Sequence, residues 1–136
     1  MDRPYVEIIE TAFEDERGEI KNILTDPDIG HVAIITSKAK TIRGNHYHPT
    51  YWQVIYVVSG GYTARYRKVR RGANNEIEAA SEILTAYVGV GQIEVVPPGW
   101  AHAYRFSDDT VFLDIFPGGR SDDEPDDVTI SYVLLS

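Results

Sequence analysis

A small all-β domain is predicted by this sequence, on three observations. Roughly ten short runs rich in β-branched and aromatic residues follow one another along the chain. Turn-forming residues separate them at near-regular spacing. Helical periodicity is weak throughout. Such a series argues for a sandwich or a barrel, and strand pattern alone does not choose between the two.

The elements are expected in this order. Residues 6–9 form the first strand, and Asp15-Glu16-Arg17-Gly18 turns the chain into a second over 19–24. His31–Ser37 reads as a buried strand. Strands at 52–59 and 62–69 flank Gly60-Gly61, whose freedom at positive φ suits a tight hairpin. The basic run Arg67-Lys68-Val69-Arg70-Arg71 then leads into the turn-like Gly72-Ala73-Asn74-Asn75, the pattern of a solvated hairpin end. Residues 75–84 fit either a helix or a strand. Strands at 83–88, Gln92–Val96, 102–106, 111–116 and 128–135 complete the series.

With 136 residues and no linker, repeat or low-complexity block, residues 1–136 are expected to form a single domain. No apolar run reaches the ~20 residues that span a bilayer, and Met1-Asp2-Arg3-Pro4 lacks the apolar core of a signal peptide. The expectation is a cytoplasmic protein that binds no membrane. The absence of cysteine excludes disulfides and thiolate metal sites. Of the net charge of −8, five negative charges sit in Asp122, Asp123, Glu124, Asp126 and Asp127, leaving −3 elsewhere. A surface of that sign disfavours nucleic acid. The acidic run lacks the alternating ligands and glycine of a calcium loop and reads as solvated.

Two motifs carry chemistry. In His46-Tyr47-His48 the imidazoles, two residues apart, share one face of a strand while Tyr47 takes the other. Gln53 follows after four intervening residues, and Gly60 closes the segment. Further on, Gly91 is followed by Pro97, Pro98, Gly99 and, three residues later, His102. The prolines cannot serve mid-sheet, so this segment reads as strand, rigid turn, and a second strand presenting His102. His31 matches neither motif and reads as a packed strand residue.

These spacings resemble the cupin family, whose motifs are H-x-H with a later Glu and Gly, and G-x5-P-x-G-x2-H. The second is matched at every defined position. In the first, Gln53 stands where Glu is usual, and Lys40 replaces a frequent glycine. The resemblance implies the double-stranded β-helix, a jelly-roll barrel. It also implies one divalent metal ion (zinc, iron, nickel or manganese) held by His46, His48, Gln53 and His102, with no nucleotide or flavin cofactor. A neutral amide at position 53 would leave that ion a stronger Lewis acid, less tightly held.

Arg43-Gly44-Asn45-His46-Tyr47-His48, Trp52-Gln53 and Pro97-Pro98-Gly99-Trp100-Ala101-His102 look like the cupins of sugar-nucleotide and capsular polysaccharide biosynthesis. These include 3,4-ketoisomerases and relatives of dTDP-4-dehydrorhamnose 3,5-epimerase. That resemblance implies His46 and His48 as general acid and base, since imidazole exchanges protons near neutrality. It implies Arg43 as stabiliser of an enolate-like or phosphate oxygen. Gln53, Trp52, Trp100 and Tyr104 would contact a sugar or keto compound. The ending, through Pro117-Gly118-Gly119-Arg120, departs from the acidic, tyrosine-rich close of the isomerases.

The function expected is therefore that of a carbohydrate isomerase or epimerase working by proton transfer. Its rivals are a metal-dependent cupin dioxygenase and a non-catalytic sugar-binding or sensing cupin. Pairing of apolar edge strands, at 6–9 or 131–135, suggests a homodimer.

Overall fold

The computed structural model describes residues 3–26, 28–118 and 129–136. These contain strands and no helix. The strands are β1 (Tyr5–Ile8), β2 (Phe13–Asp15), β3 (Gly18–Ile20), β4 (His31–Ser37), β5 (Ile42–Tyr47), β6 (Gln53–Ser59) and β7 (Gly61–Arg71). They continue as β8 (Ile77–Ala79), β9 (Leu84–Gly89), β10 (Gln92–Val96), β11 (Trp100–Phe106), β12 (Thr110–Phe116) and β13 (Ile130–Ser131).

Two large sheets face each other. One has the order β1-β10-β6-β12-β4; the other runs β13-β5-β11-β7-β8, with β9 also paired to β7. From β4 to β7 and again from β9 to β13, each strand lies in the sheet opposite its predecessor. This alternation is the jelly-roll arrangement expected from the motifs.

It also corrects the hairpin expected at Gly60-Gly61. β6 and β7 do not pair: the chain turns a corner there and crosses between sheets. Turn residues mark a reversal equally well at a corner and in a hairpin, because both need the same backbone freedom. The true long hairpin is β7 with β8 and β9, from Gly61↔Gly89 to Arg71↔Ile77. Its end is the basic turn at Gly72–Asn75 anticipated above. The ambiguous stretch 75–84 contains the short strand β8, not a helix.

Inward residues alternate along the strands. Ile55, Val57, Val96 and Phe112 of the first sheet pack on Tyr62, Ala64, Tyr66, Trp100, Tyr104 and Phe106 of the second. Two smaller clusters cover the outer faces. Ile23 and Leu24 lie over Val54, Ile93, Val95 and Ile115. Ile130, Tyr132 and Leu134 lie over Tyr47, Val69 and Ala101. Residues 21–24 therefore pack as a cover although the strand expected there ends at Ile20. The strand expected over 128–135 shortens to β13, and its first residue and the acidic run fall outside the described residues.

Candidate functional site

The site is built on an irregularity in β5. Gly44 and Asn45 both have positive φ, at 91° and 58°. Arg43 pairs with Tyr104 and Gly44 with Ala103, yet His46 pairs with His102, so Asn45 is an extra residue. Such a bulge resets the alternation of faces. Arg43 and His46, three apart, consequently both lie opposite inward residues of β11. Gly44 is obligatory here, because a Cβ would stand 2.7 Å from the His102 carbonyl oxygen. The Asn45 side chain is not in the site. Its Nδ2 donates to the Leu135 carbonyl at 2.8 Å, and its Oδ1 accepts from the amides of Leu134 and Leu135 at 2.8 and 3.0 Å. Asn45 thus binds the C-terminal segment to the outside of the sheet.

Beyond the bulge the expected alternation holds. Tyr47 packs outward in the cluster with Tyr132, and His48 returns inward. The three imidazoles converge. Ring centroids lie 4.9 Å apart for His46 and His48, 4.8 Å for His46 and His102, and 5.5 Å for His48 and His102. One ring nitrogen from each falls within 4.8 Å of the others. With Gln53 they line a cavity of about 290 Å³.

His102 is fully buried. Its Nδ1 lies 3.2 Å from the Trp100 carbonyl. A carbonyl only accepts, so Nδ1 carries the proton and Nε2 presents a lone pair. Burial, reinforced by His46 and then His48, pushes its pKa from 6.5 down to about 3. His102 is therefore neutral at physiological pH. Gln53 opens β6, with Nε2 donating to Asp114 Oδ1 at 2.8 Å. Among the described residues, neither His102 Nε2 nor Gln53 Oε1 has a hydrogen-bond partner. Both are buried acceptors, a condition that calls for a donor or a cation. Three imidazole nitrogens and an amide oxygen are a donor set that suits borderline divalent metals.

Arg43 lies at the mouth. Its Nε donates to Ser37 Oγ at 2.6 Å and its NH2 group to the Thr36 carbonyl at 3.0 Å. It also lines an adjoining cavity of about 700 Å³, next to Lys38 and Thr41. Tyr104 lines the histidine cavity, and its ring stacks on His102 with centroids 5.5 Å apart. Trp52 and Trp100 lie elsewhere. Trp52 is 41% exposed and faces an outer groove with Tyr5 and Leu24, while Trp100 is buried in the core between the sheets. The reasons differ: Trp52 precedes the inward Gln53 by one residue and so faces outward, whereas Trp100 shares the inward face of His102 but opens β11, four residues before Arg43's partner Tyr104.

Three polar residues carry no motif signal in the sequence. His31 lines the cavity as well as packing on Phe116, at 5.3 Å between centroids. Asp114 and Glu94 sit in apolar strands, on either side of Ile55 in one cross-sheet row. A lone acid at an inward register of a hydrophobic strand was the available signal. Glu94 is fully buried and accepts from the hydroxyls of Tyr104 at 2.7 Å, Tyr62 at 3.1 Å, and Tyr66. Burial raises its pKa from 4.5 to about 7, with the three phenols opposing.

Residues 13–116 match the family described as the polysaccharide biosynthesis C-terminal domain. No curated protein sequence matches the chain. Among solved structures, dTDP-4-dehydrorhamnose 3,5-epimerase from Sulfolobus tokodaii superposes with a TM-score of 0.63 at 19% identity, over 81% of this chain and 68% of that one. A mutant of the 3,4-ketoisomerase QdtA from Thermoanaerobacterium thermosaccharolyticum, in complex with TDP-4-keto-6-deoxyglucose, gives 0.66 at 16% identity, over 90% and 85%. The capsular polysaccharide assembling protein CapF from Staphylococcus aureus gives 0.57 at 27% identity, over 93% of this chain but only 33% of CapF. The chain thus corresponds to about a third of CapF's length. The family match runs from the β2–β3 hairpin to the end of β12, and takes in every histidine of the cavity: this chain is a member of the polysaccharide biosynthesis C-terminal domain family, with the cupin fold.

Proposed function

We propose that this chain is a carbohydrate isomerase or epimerase that moves a proton at a carbon next to a carbonyl of a keto-sugar or sugar nucleotide. The observation that carries this reading is the convergence of His46, His48 and His102 on one cavity whose mouth holds Arg43. His46 is the least buried of the three and takes the proton from substrate; His48, 4.9 Å away between centroids, is its partner in returning one. The Arg43 guanidinium stabilises the oxygen on which negative charge develops. His102, held neutral, cannot act as an acid and serves as an acceptor. The ketoisomerase and epimerase neighbours support the substrate class.

A second reading of the same atoms is favoured by the two unpartnered acceptors, His102 Nε2 and Gln53 Oε1. In it His46, His48, His102 and Gln53 hold a divalent ion, zinc, iron, nickel or manganese. Such an ion supplies Lewis-acid polarisation of a carbonyl oxygen. A lone pair given to an ion cannot take a proton, so the histidines then orient and no longer shuttle. Elemental analysis of tag-free protein separates the readings, and stoichiometric iron or nickel with oxygen consumption would favour a dioxygenase.

Proton transfer is tested by incubation with TDP-4-keto-6-deoxyglucose in heavy water. Deuterium should enter beside the carbonyl and cease to do so in His46→Ala. Absence of incorporation across a panel of keto-sugars would overturn the isomerase reading and leave a sugar-binding protein. We also propose a cytoplasmic homodimer joined through β1, which among the described residues is an edge strand and whose Ile8 is 75% exposed. Light scattering giving a monomer at micromolar concentration would contradict it.

A further inference from the structure

We infer that Asp114 is a positioning residue that fixes the polarity of the Gln53 amide, so that a Gln53–Asp114 pair takes the place of the glutamate usual at this position. The inference rests on the metal reading above and deepens it. An amide has a donor end and an acceptor end, and either can face a cavity. Asp114 offers its Oδ1 as the acceptor. Its Oδ1 takes the Gln53 Nε2 at 2.8 Å and thereby leaves Oε1 as the unbonded end of an amide that lines the histidine cavity. Both side chains are more than nine-tenths buried, so water does not compete for either end. With His102 Nε2 fixed as an acceptor by its neighbour's bond to the Trp100 carbonyl, the buried end of the cavity presents acceptors.

The pairing also gives a physical reason for glutamine at position 53. A glutamate there would set carboxyl oxygen against carboxyl oxygen with no N–H donor between them, and two acceptors at hydrogen-bond distance repel. Glutamine avoids the repulsion and keeps an oxygen for the ion. Partners such as Asp114, which touch a ligand residue and not the ion, set ligand orientation and basicity.

The test is zinc titration calorimetry on the full chain after chelation, with the visible spectrum of the cobalt-substituted protein as a second readout. Asp114→Asn lets the amide face either way and should weaken zinc about 10- to 100-fold, with a changed cobalt spectrum. Gln53→Glu combined with Asp114→Asn, in which an asparagine amide holds a glutamate, should restore affinity to the wild-type level or above. A structural role alone would not yield rescue by this exchange. Wild-type affinity and an unaltered cobalt spectrum in Asp114→Asn would overturn the inference while leaving the metal reading intact. A wild type that binds no zinc or cobalt would overturn the metal reading and the inference with it. If Asp114→Asn does not fold, the double variant decides: zinc binding supports the exchange, and a folded double variant without it refutes it.

Discussion

The backbone amide of Gly99 donates to the carbonyl of His48 at 2.9 Å. One hydrogen bond therefore ties the turn of the second histidine motif to the end of the first, although the two lie far apart in the sequence. The Gly99 carbonyl in turn accepts from Val69 at 3.0 Å, which fixes the turn to β7. His102 enters β11 three residues after this anchor, and its distance from His48 follows from backbone geometry more than from side-chain packing. The site is preorganised by the sheet itself.

Two glycine substitutions should separate strain from collision. Gly44 and Gly99 both have positive φ, so alanine at either costs about 1 kcal/mol in backbone strain. A Cβ at Gly99 meets nothing within 4 Å, but one at Gly44 lies 2.7 Å from backbone of His102. Urea denaturation should find Gly99→Ala only mildly destabilised. Gly44→Ala should lose at least about 1 to 2 kcal/mol more, because β5 must move from β11. Equal losses would contradict the close approach.

Much of the site was legible in the sequence for a simple reason: H-x-H on a strand and P-P-G before a strand each dictate local geometry. The boundaries of β4 and β10 likewise follow from short runs rich in β-branched residues. What could not be read was long-range. Nothing local distinguishes the corner at Gly60 from a hairpin, since only pairing partners differ. The bulge at Asn45 was hidden because Gly-Asn, which readily takes positive φ, marks a turn as well as a bulge, and only the pairing with β11 tells them apart. Trp52 was expected at the site on resemblance, but the strict alternation that turns Gln53 inward turns Trp52 outward.

The two tryptophans should behave oppositely on truncation. Trp100, 6% exposed, packs in the main core, and Trp100→Ala should cost about 3 to 5 kcal/mol. Trp52, 41% exposed on the outer face, should cost less than about 1 kcal/mol. Neither lines the histidine cavity, so Trp52→Ala should leave deuterium incorporation within a few-fold of wild type. A large loss of incorporation with unchanged stability would return Trp52 to the substrate site.

Asn45→Ala should release the C-terminal segment without dismantling the histidine cluster. Three hydrogen bonds to Leu134 and Leu135 are lost, and the cost is about 1 to 3 kcal/mol. Hydrogen exchange is the direct measure. The amides of Leu134 and Leu135 should exchange faster, while that of Gly99, bonded to His48, should keep its protection. Protection lost equally at all three would mean that the segment and the site unfold as one unit.

Glu94 should make stability fall as pH rises toward neutrality. Its pKa is about 7 when folded against an ordinary 4.5, so the folded state binds the extra proton between those values. The stabilisation is complete below about pH 4.5 and is lost as pH passes through about 7, an effect on the order of 3 kcal/mol. His102 tilts the curve the other way: its folded pKa of about 3 is below the ordinary 6.5, so its contribution is lost as pH falls. Comparison with Glu94→Gln isolates the carboxyl, because His102 is common to both proteins. The difference in denaturation free energy between wild type and variant should favour the wild type progressively less from pH 5 to pH 8. A difference independent of pH would mean that the three tyrosines hold Glu94 ionised throughout, and that the phenols outweigh burial at the centre of the fold.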